Sequence, residues 1–223
     1  VAKVLALCGQ KGGTGKTTIA IHLACEWHRA GKHVLLVDLD SQGSTTTFSD
    51  VALELGSSIP KVVGMGNAVR TQVAEMSPDY DVVVIDCAGH NNTRSGHALL
   101  VADLALMPCH ASPLSVWALS GSLDLVNTTV QLRDGALKAR LVLNSVIAST
   151  KLSKEIVDAL DNPDPDDPDL EILRQTPRLR SVIHERVAFV RSFDAGQGVT
   201  TFEPDGQASA EIRALAKEIE SIW

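Results

Sequence analysis

The sequence predicts an α/β fold: a single doubly wound domain, with a mostly parallel sheet and helices on both faces. Three observations carry that prediction. Five short runs, KVLALC, HVLLVDLD, DVVVIDC, DLALMPC and ARLVLNSV, are nearly all apolar, as strands buried between two layers are. Segments with helical spacing lie between such runs, which implies βαβ units. The 223 residues are 44% apolar, enough to fill one such domain.

The first run, residues 3–8, passes through a glycine-rich stretch into residues 16–30, where Ile19, Leu23, Trp27 and Ala30 form an apolar stripe. Gly31 is placed to end that helix. The second run, 33–40, finishes in Asp40, and the third, 81–87, carries Asp86 next to its last residue. After the fourth, 103–109, residues 114–133 repeat the helical spacing with Leu119, Leu123, Val126 and Val130, ending at Asp134-Gly135. The fifth run is 139–146, and a sixth strand is expected near LRSVI, 179–183, beyond Pro177.

The stretch DNPDPDDPD, 161–169, has five aspartates and three prolines in nine residues. Prolines remove backbone donors and the charges repel, so it reads as an acidic, solvated surface loop. No repeat or linker divides the chain, and 1–223 reads as one domain.

A net charge of −7 excludes a protein that is basic throughout, but it leaves room for a local basic patch. Cys8, Cys25, Cys87 and Cys109 show no C-x-x-C spacing and sit in or beside apolar runs, the pattern of buried, reduced thiols in a cytosolic protein. No apolar run reaches the roughly 18 residues of a membrane span. The start, at Val1, lacks the charged-then-apolar pattern of a signal peptide.

The chemistry is concentrated in CGQKGGTGKTT, residues 8–18, between the first strand and the first helix. Glycines there let backbone N–H groups turn toward an anion, and the helix N-terminus adds partial positive charge. Gly12, Gly13, Thr14, Gly15, Lys16, Thr17 and Thr18 form the candidate phosphate cradle. Lys16 can reach the β- and γ-phosphates, and the Thr17 hydroxyl can ligate Mg²⁺. The plain pattern G-x-x-x-x-G-K-[ST] fails at Gln10; the remainder, K-G-G-x-G-K-T-T, fits the deviant Walker A form of the P-loop NTPase fold, with Lys11 five residues before Lys16. A dinucleotide fingerprint from Gly13 would need glycine where Thr18 stands.

Two aspartates, Asp38 and Asp40, close the second run, and Asp86 closes the third. Acids at the carboxyl edge of such a sheet lie beside the phosphate loop. Asn144 near the end of the fifth run has an amide that can both donate and accept, as an adenine edge requires.

These motifs resemble the ParA/MinD family of ATPases. The resemblance implies that Lys16 serves its own ATP while Lys11 reaches across a homodimer to the partner's nucleotide. A cation supplied in trans meets the charge of the transferring phosphoryl, and ATP then holds the dimer together. It implies that Asp40 positions or activates the attacking water and that Asn144 contacts the base. Asp38 and Asp86 would lie near Mg²⁺, mostly through its water shell. Two departures stand out: Ser41 replaces the proline of D-x-D-P-Q, and Ala88 that of D-x-P.

ASPLSVWALSGSLDLV, 111–126, resembles small plasmid-partition ATPases of the ParF type, and VIHERVAFVRSFDAGQGV, 182–199, resembles their I-x-x-R…G segment. The sequence starts directly at the first strand, so the N-terminal DNA-reading domain of larger members is not expected. The implied function is partition: ATP-dependent dimerisation, DNA binding without sequence preference, and slow hydrolysis stimulated by a small ParB-like, centromere-binding partner. The implied location is the prokaryotic cytoplasm, on the nucleoid. A relative that positions a protein cargo, such as a carboxysome or chemoreceptor cluster, fits the same motifs.

Two further classes fit less well. A MinD-like membrane switch needs a basic amphipathic C-terminal helix. Here SAEIRALAKEIESIW sets Ile212, Leu215, Ile219 and Ile222 against Glu211, Arg213, Lys217, Glu218 and Glu220, which reads as a helix packed on its own domain, with no membrane partner. An iron–sulfur redox ATPase needs two cysteines per subunit at the dimer seam. Cys87 and Cys109 follow strands, but the glycine-flanked contexts of that class are missing. The resemblance puts nonspecific DNA contacts on the C-terminal third, where Arg178, Arg180, Arg186, Arg191, Arg213 and Lys217 are the candidates.

Overall fold

Strands joined by helical crossovers pair in parallel. The computed structural model describes residues 1–9, 12–89, 92–112, 120–147, 155, 157–158, 160–162 and 176–223. Among them are β1 (Lys3–Leu7), β2 (Val34–Asp38), β3 (Lys61–Gly64), β4 (Val82–Asp86), β5 (Leu104–Cys109), β6 (Lys138–Val146) and β7 (Arg178–His184). They form one sheet in the order β3-β2-β4-β1-β5-β6-β7, and every pairing is parallel. The strand order reverses around β1, so the sheet's carboxyl edge opens a crevice beside the glycine-rich loop.

Among the described residues lie the helices α1 (Lys16–Arg29), α2 (Ser44–Glu54), α3 (Val69–Met76), α4 (Asn92–Leu99), α5 (Ser120–Leu132), α6 (Val187–Asp194), α7 (Val199–Phe202) and α8 (Gln207–Glu220). Strand side chains alternate between two cores. Val4, Ala6, Val83 and Ile85 join Val73 of α3, Leu99 of α4 and Leu123 of α5 on one face. Leu5, Leu7, Val82 and Val84 join Trp27 of α1, Phe48 of α2, Phe189 of α6 and Leu215 of α8 on the other.

All six expected strands are present, and β3 adds a seventh. Its four residues are exposed or half-buried, so the edge strand carries no apolar run to betray it. The first helix ends as expected: Gly31 takes φ 87° and the Lys32 N–H donates to the Trp27 carbonyl at 3.0 Å. The expected helix over 114–133 is seen as α5; residues 113–119 lie outside the described residues, as do 163–169 of the acidic stretch.

The C-terminal helix packs on its own domain. Ile212, Leu215 and Ile219 are fully buried against α1 and β7. Trp27 donates through Nε1 to Glu220 at 2.9 Å, and the Trp223 ring lies 5.3 Å from that of Trp27. Glu218 accepts from the backbone N–H groups of Arg180 and Ser181 at 2.7 and 2.9 Å, which occupies two amides of the edge strand β7. Among the described residues, no helix is long and apolar enough to cross a membrane.

Candidate nucleotide site

The loop's geometry follows from its glycines. Gly9, Gly13 and Gly15 take φ of 146°, 78° and 89°, conformations that side chains resist. Gly15 caps α1 in the left-handed region, so the first amides of α1 face out of the helix end toward the crevice. Thr14 and Lys16 are buried, Gly12 and Gly13 exposed, and Thr17 and Thr18 half-buried. Lys11 lies outside the described residues, with Gln10.

The acids stand where the strands end. Asp38 and Asp86 are register partners across β2 and β4, and Asp86 in turn pairs with Leu7 of β1, two residues before the loop. Asp38 is saturated. It accepts the Asp40 N–H at 2.9 Å on one oxygen, and the Thr46 N–H and hydroxyl, both at 3.0 Å, on the other. Asp40 is half-buried, and one of its oxygens accepts the Gln42 N–H at 2.9 Å in a tight turn.

Asp86 is 1% exposed, and Thr45 donates its hydroxyl to Oδ2 at 2.9 Å. Its other oxygen, Oδ1, has no hydrogen-bond partner among the described residues. Burial pushes this carboxyl up to about 6, opposed by hydroxyls of Thr17 and Thr45, while the nearby Asp38 charge adds to the rise. An orphaned carboxylate oxygen beside Lys16 and Thr17 suits a hydrated divalent cation. Mg²⁺ keeps most of its waters and needs no protein cage, and among the described residues no group of three or more His, Cys, Asp or Glu forms one.

Asn144 touches the phosphate loop. Its side chain is 4% exposed and donates through Nδ2 to the Thr14 carbonyl at 2.8 Å. A Cβ on Gly15 would lie 2.0 Å from that nitrogen. The amide nitrogen therefore braces the underside of the phosphate loop. Strand β5 ends opposite Leu143, next to Asn144 on the neighbouring β6, and His110, just after β5, donates through Nε2 to the Gly13 carbonyl at 3.0 Å.

The sequence reading missed Thr45, Thr46, His110 and Arg94. Arg94 of α4 donates to the Leu39 carbonyl, between the two aspartates, and to Asn67, each at 3.2 Å. Two signals could have found some of them: the run STTT after D-x-D, and a histidine directly following a strand at the active edge.

The basic candidates divide. Arg178 forms a two-pronged pair with Asp161, Arg186 pairs with Glu211 and Gln207, and Arg213 donates to the Pro204 carbonyl. Burial works against the Glu211 charge, but bonds from Arg186 and His184 hold its carboxyl below the ordinary range. Arg180, Arg191 and Lys217 are exposed. All four cysteines are free and buried, with Cys87 and Cys109 each 1% exposed. Burial pushes the Cys8, Cys25 and Cys109 thiols up to about 12.

Comparison with known proteins agrees with this geometry. The family described as the CobQ/CobB/MinD/ParA nucleotide binding domain matches residues 5–199. The chain is 28% identical to the maintenance of carboxysome distribution protein A of Halothiobacillus neapolitanus, over 99% of this chain and 94% of that protein. It is 32% identical to the chromosome-partitioning ATPase Soj of Thermus thermophilus, over 65% of this chain and 68% of that one. Among solved structures, apo McdA of Cyanothece superposes with a TM-score of 0.75 at 18% identity, covering 98% of this chain and 100% of that one.

Proposed function

We propose, from the premise that this chain belongs to the CobQ/CobB/MinD/ParA nucleotide-binding domain family, that it is an ATP-driven positioning ATPase. In this reading it forms an ATP-bound sandwich homodimer and binds DNA without sequence preference in the cytoplasm, on the nucleoid. It segregates plasmid or chromosomal DNA with a small centromere-binding partner. The observation that supports it most is the meeting of loop and acids at one edge: buried Lys16 and the α1 amides beside Asp38, Asp86 and Asp40.

The proposed reaction is in-line attack of water on the γ-phosphorus. The bond to the β,γ-bridging oxygen breaks, the water's proton leaves, and ADP and phosphate result. Mg²⁺ supplies positive charge at the phosphate oxygens, with Thr17, Asp38 and Asp86 placed to hold its hydrated form. Lys16 and the loop amides bind the phosphate oxygens, and Asp40 orients the water. Lys11 of a second copy meets the developing charge, which makes assembly depend on the γ-phosphate.

A protein cargo is the second reading. It is favoured by the likeness to a carboxysome distribution protein along nearly the whole of both chains. The test for the shared mechanism is light scattering with ATP and Mg²⁺. Asp40→Ala is expected to accumulate as dimer, and Lys11→Ala to dimerise weakly while still binding ATP. An Asp40→Ala protein that stays monomeric, or a fully active Lys11→Ala, overturns the sandwich. Capture of DNA or of a cargo adaptor by the trapped dimer separates the two cargoes.

A further inference from the structure

Two adjacent threonines open α2, and each meets a different strand-end carboxylate. Thr46 donates twice to Asp38, while Thr45, which is 0% exposed, donates its hydroxyl to Asp86 Oδ2 at 2.9 Å. Gly43, in the left-handed conformation at φ 66°, starts the helix so that consecutive side chains turn back onto the paired strand ends. Nothing in the proposed reaction uses Thr45.

The geometry around Asp86 gives Thr45 a task. A carboxylate rotates about its Cβ–Cγ bond, so its direction depends on what holds it. The Thr17 hydroxyl also favours the charged Asp86, but Thr17 is the residue expected to turn its hydroxyl to the metal. Once Thr17 is recruited, Thr45 is the side-chain donor still on Asp86 among the described contacts. With Oδ2 held by Thr45, Oδ1, which has no partner among the described residues, is the oxygen left to accept from a cation's water shell.

We propose that Thr45 is a positioning residue for the metal: its hydroxyl fixes the Asp86 carboxylate so that Oδ1 accepts from the hydrated Mg²⁺ of the bound nucleotide. This rests on the reading above that Asp86 serves Mg²⁺. It also ties the first turn of α2 to the metal, because Thr46 holds Asp38 from the same turn.

The test measures binding of a fluorescent ADP analogue to the full chain across a Mg²⁺ titration and in EDTA, together with Mn²⁺ affinity by electron paramagnetic resonance. Thr45→Val keeps the volume and removes the donor; Thr45→Ala serves if the valine variant does not fold. The expected result is unchanged affinity in EDTA, with the Mg²⁺ requirement raised about 10- to 100-fold, the usual effect of losing such an outer contact. Thr45→Ser, which keeps the hydroxyl, restores the wild-type requirement. A wild-type Mg²⁺ requirement in Thr45→Val and Thr45→Ala, or an equal loss of affinity in EDTA, overturns the role of Thr45 alone. A wild-type protein whose nucleotide affinity ignores Mg²⁺ overturns the metal reading and this inference with it.

Discussion

Asp38 and Asp86 stand opposite each other in register across β2 and β4, yet the protein solvates them unequally. Asp38 receives three donors, two of them backbone amides, whereas Asp86 keeps a buried oxygen with none among the described residues. Buried charge without a partner is unfavourable, and the neighbouring carboxylate makes it worse. The site is therefore under electrostatic tension that a cation relieves.

Asp86→Asn removes that tension while keeping the shape. With its pKa raised from 3.8 to about 6, native Asp86 holds its proton more tightly than the unfolded chain does. This group thus lowers stability as pH rises between those two values, by about 1.4 kcal/mol for each pH unit, and the full penalty is in place above pH 6. Asp86→Asn is expected to melt higher than wild type at pH 8 without nucleotide. It should lose the extra stabilisation that Mg²⁺ with ADP gives the wild type. Calorimetry with and without Mg²⁺ checks both; a variant less stable than wild type at pH 8 contradicts the assignment.

Asn144 and the base can be separated by nucleotide preference. Because its amide holds the Thr14 carbonyl, Asn144→Ala should weaken ATP and GTP binding alike, by about 1 kcal/mol or roughly fivefold. A base-reading asparagine would instead change the ATP-to-GTP ratio. Gly15→Ala should abolish binding of both, since its Cβ would meet Asn144 at 2.0 Å in a backbone conformation of φ 89°. Equilibrium dialysis with the two nucleotides decides between these roles.

His22 sets an acid limit on the fold. It is 1% exposed, its Nδ1 accepts the Val199 N–H at 3.1 Å, and its ring lies 5.1 Å from that of Phe189. Burial lowers its pKa from 6.5 to about 3, so the native ring is neutral while the unfolded one takes up a proton. Stability from this group is complete above pH 6.5 and is lost progressively as pH falls toward 3, at about 1.4 kcal/mol per pH unit. His22→Asn keeps an acceptor near Nδ1 and cannot titrate. Its melting temperature should fall less steeply than that of wild type between pH 6.5 and 4.5. Parallel curves would assign the acid sensitivity elsewhere.

The sheet was legible because its inner strands are buried on both faces, which leaves uninterrupted runs such as VVVID. Edge strand β3, with only Val62 and Val63 between exposed Lys61 and Gly64, offers no such signal. Loop residues were legible where backbone geometry demands a residue type, as at Gly13 and Gly15. Contacts that depend on which strands become neighbours were not. Asn144 lies 130 positions from Thr14, and His110 lies 97 from Gly13. Only the strand order that sets β5 against β1 and β6 against β5 makes either pair.

The basic residues of the C-terminal third make the last test. Three of the six candidates already have partners: Arg178 with Asp161, Arg186 with Glu211, and Arg213 with the Pro204 carbonyl. Losing such a pairing disturbs the fold before it disturbs a ligand. Arg180, Arg191 and Lys217 are exposed, so their charges are available to phosphates. The combined change Arg180→Glu, Arg191→Glu and Lys217→Glu should weaken binding to plasmid DNA. It should also lower the slope of log affinity against log salt by about 0.9 for each phosphate contact removed. Nucleotide affinity should stay at the wild-type value. Arg186→Glu sets a second negative charge against Glu211 and should lower the melting temperature, which separates a folding defect from a binding one. Unchanged DNA affinity and salt slope in the triple variant would move the DNA surface off this part of the chain.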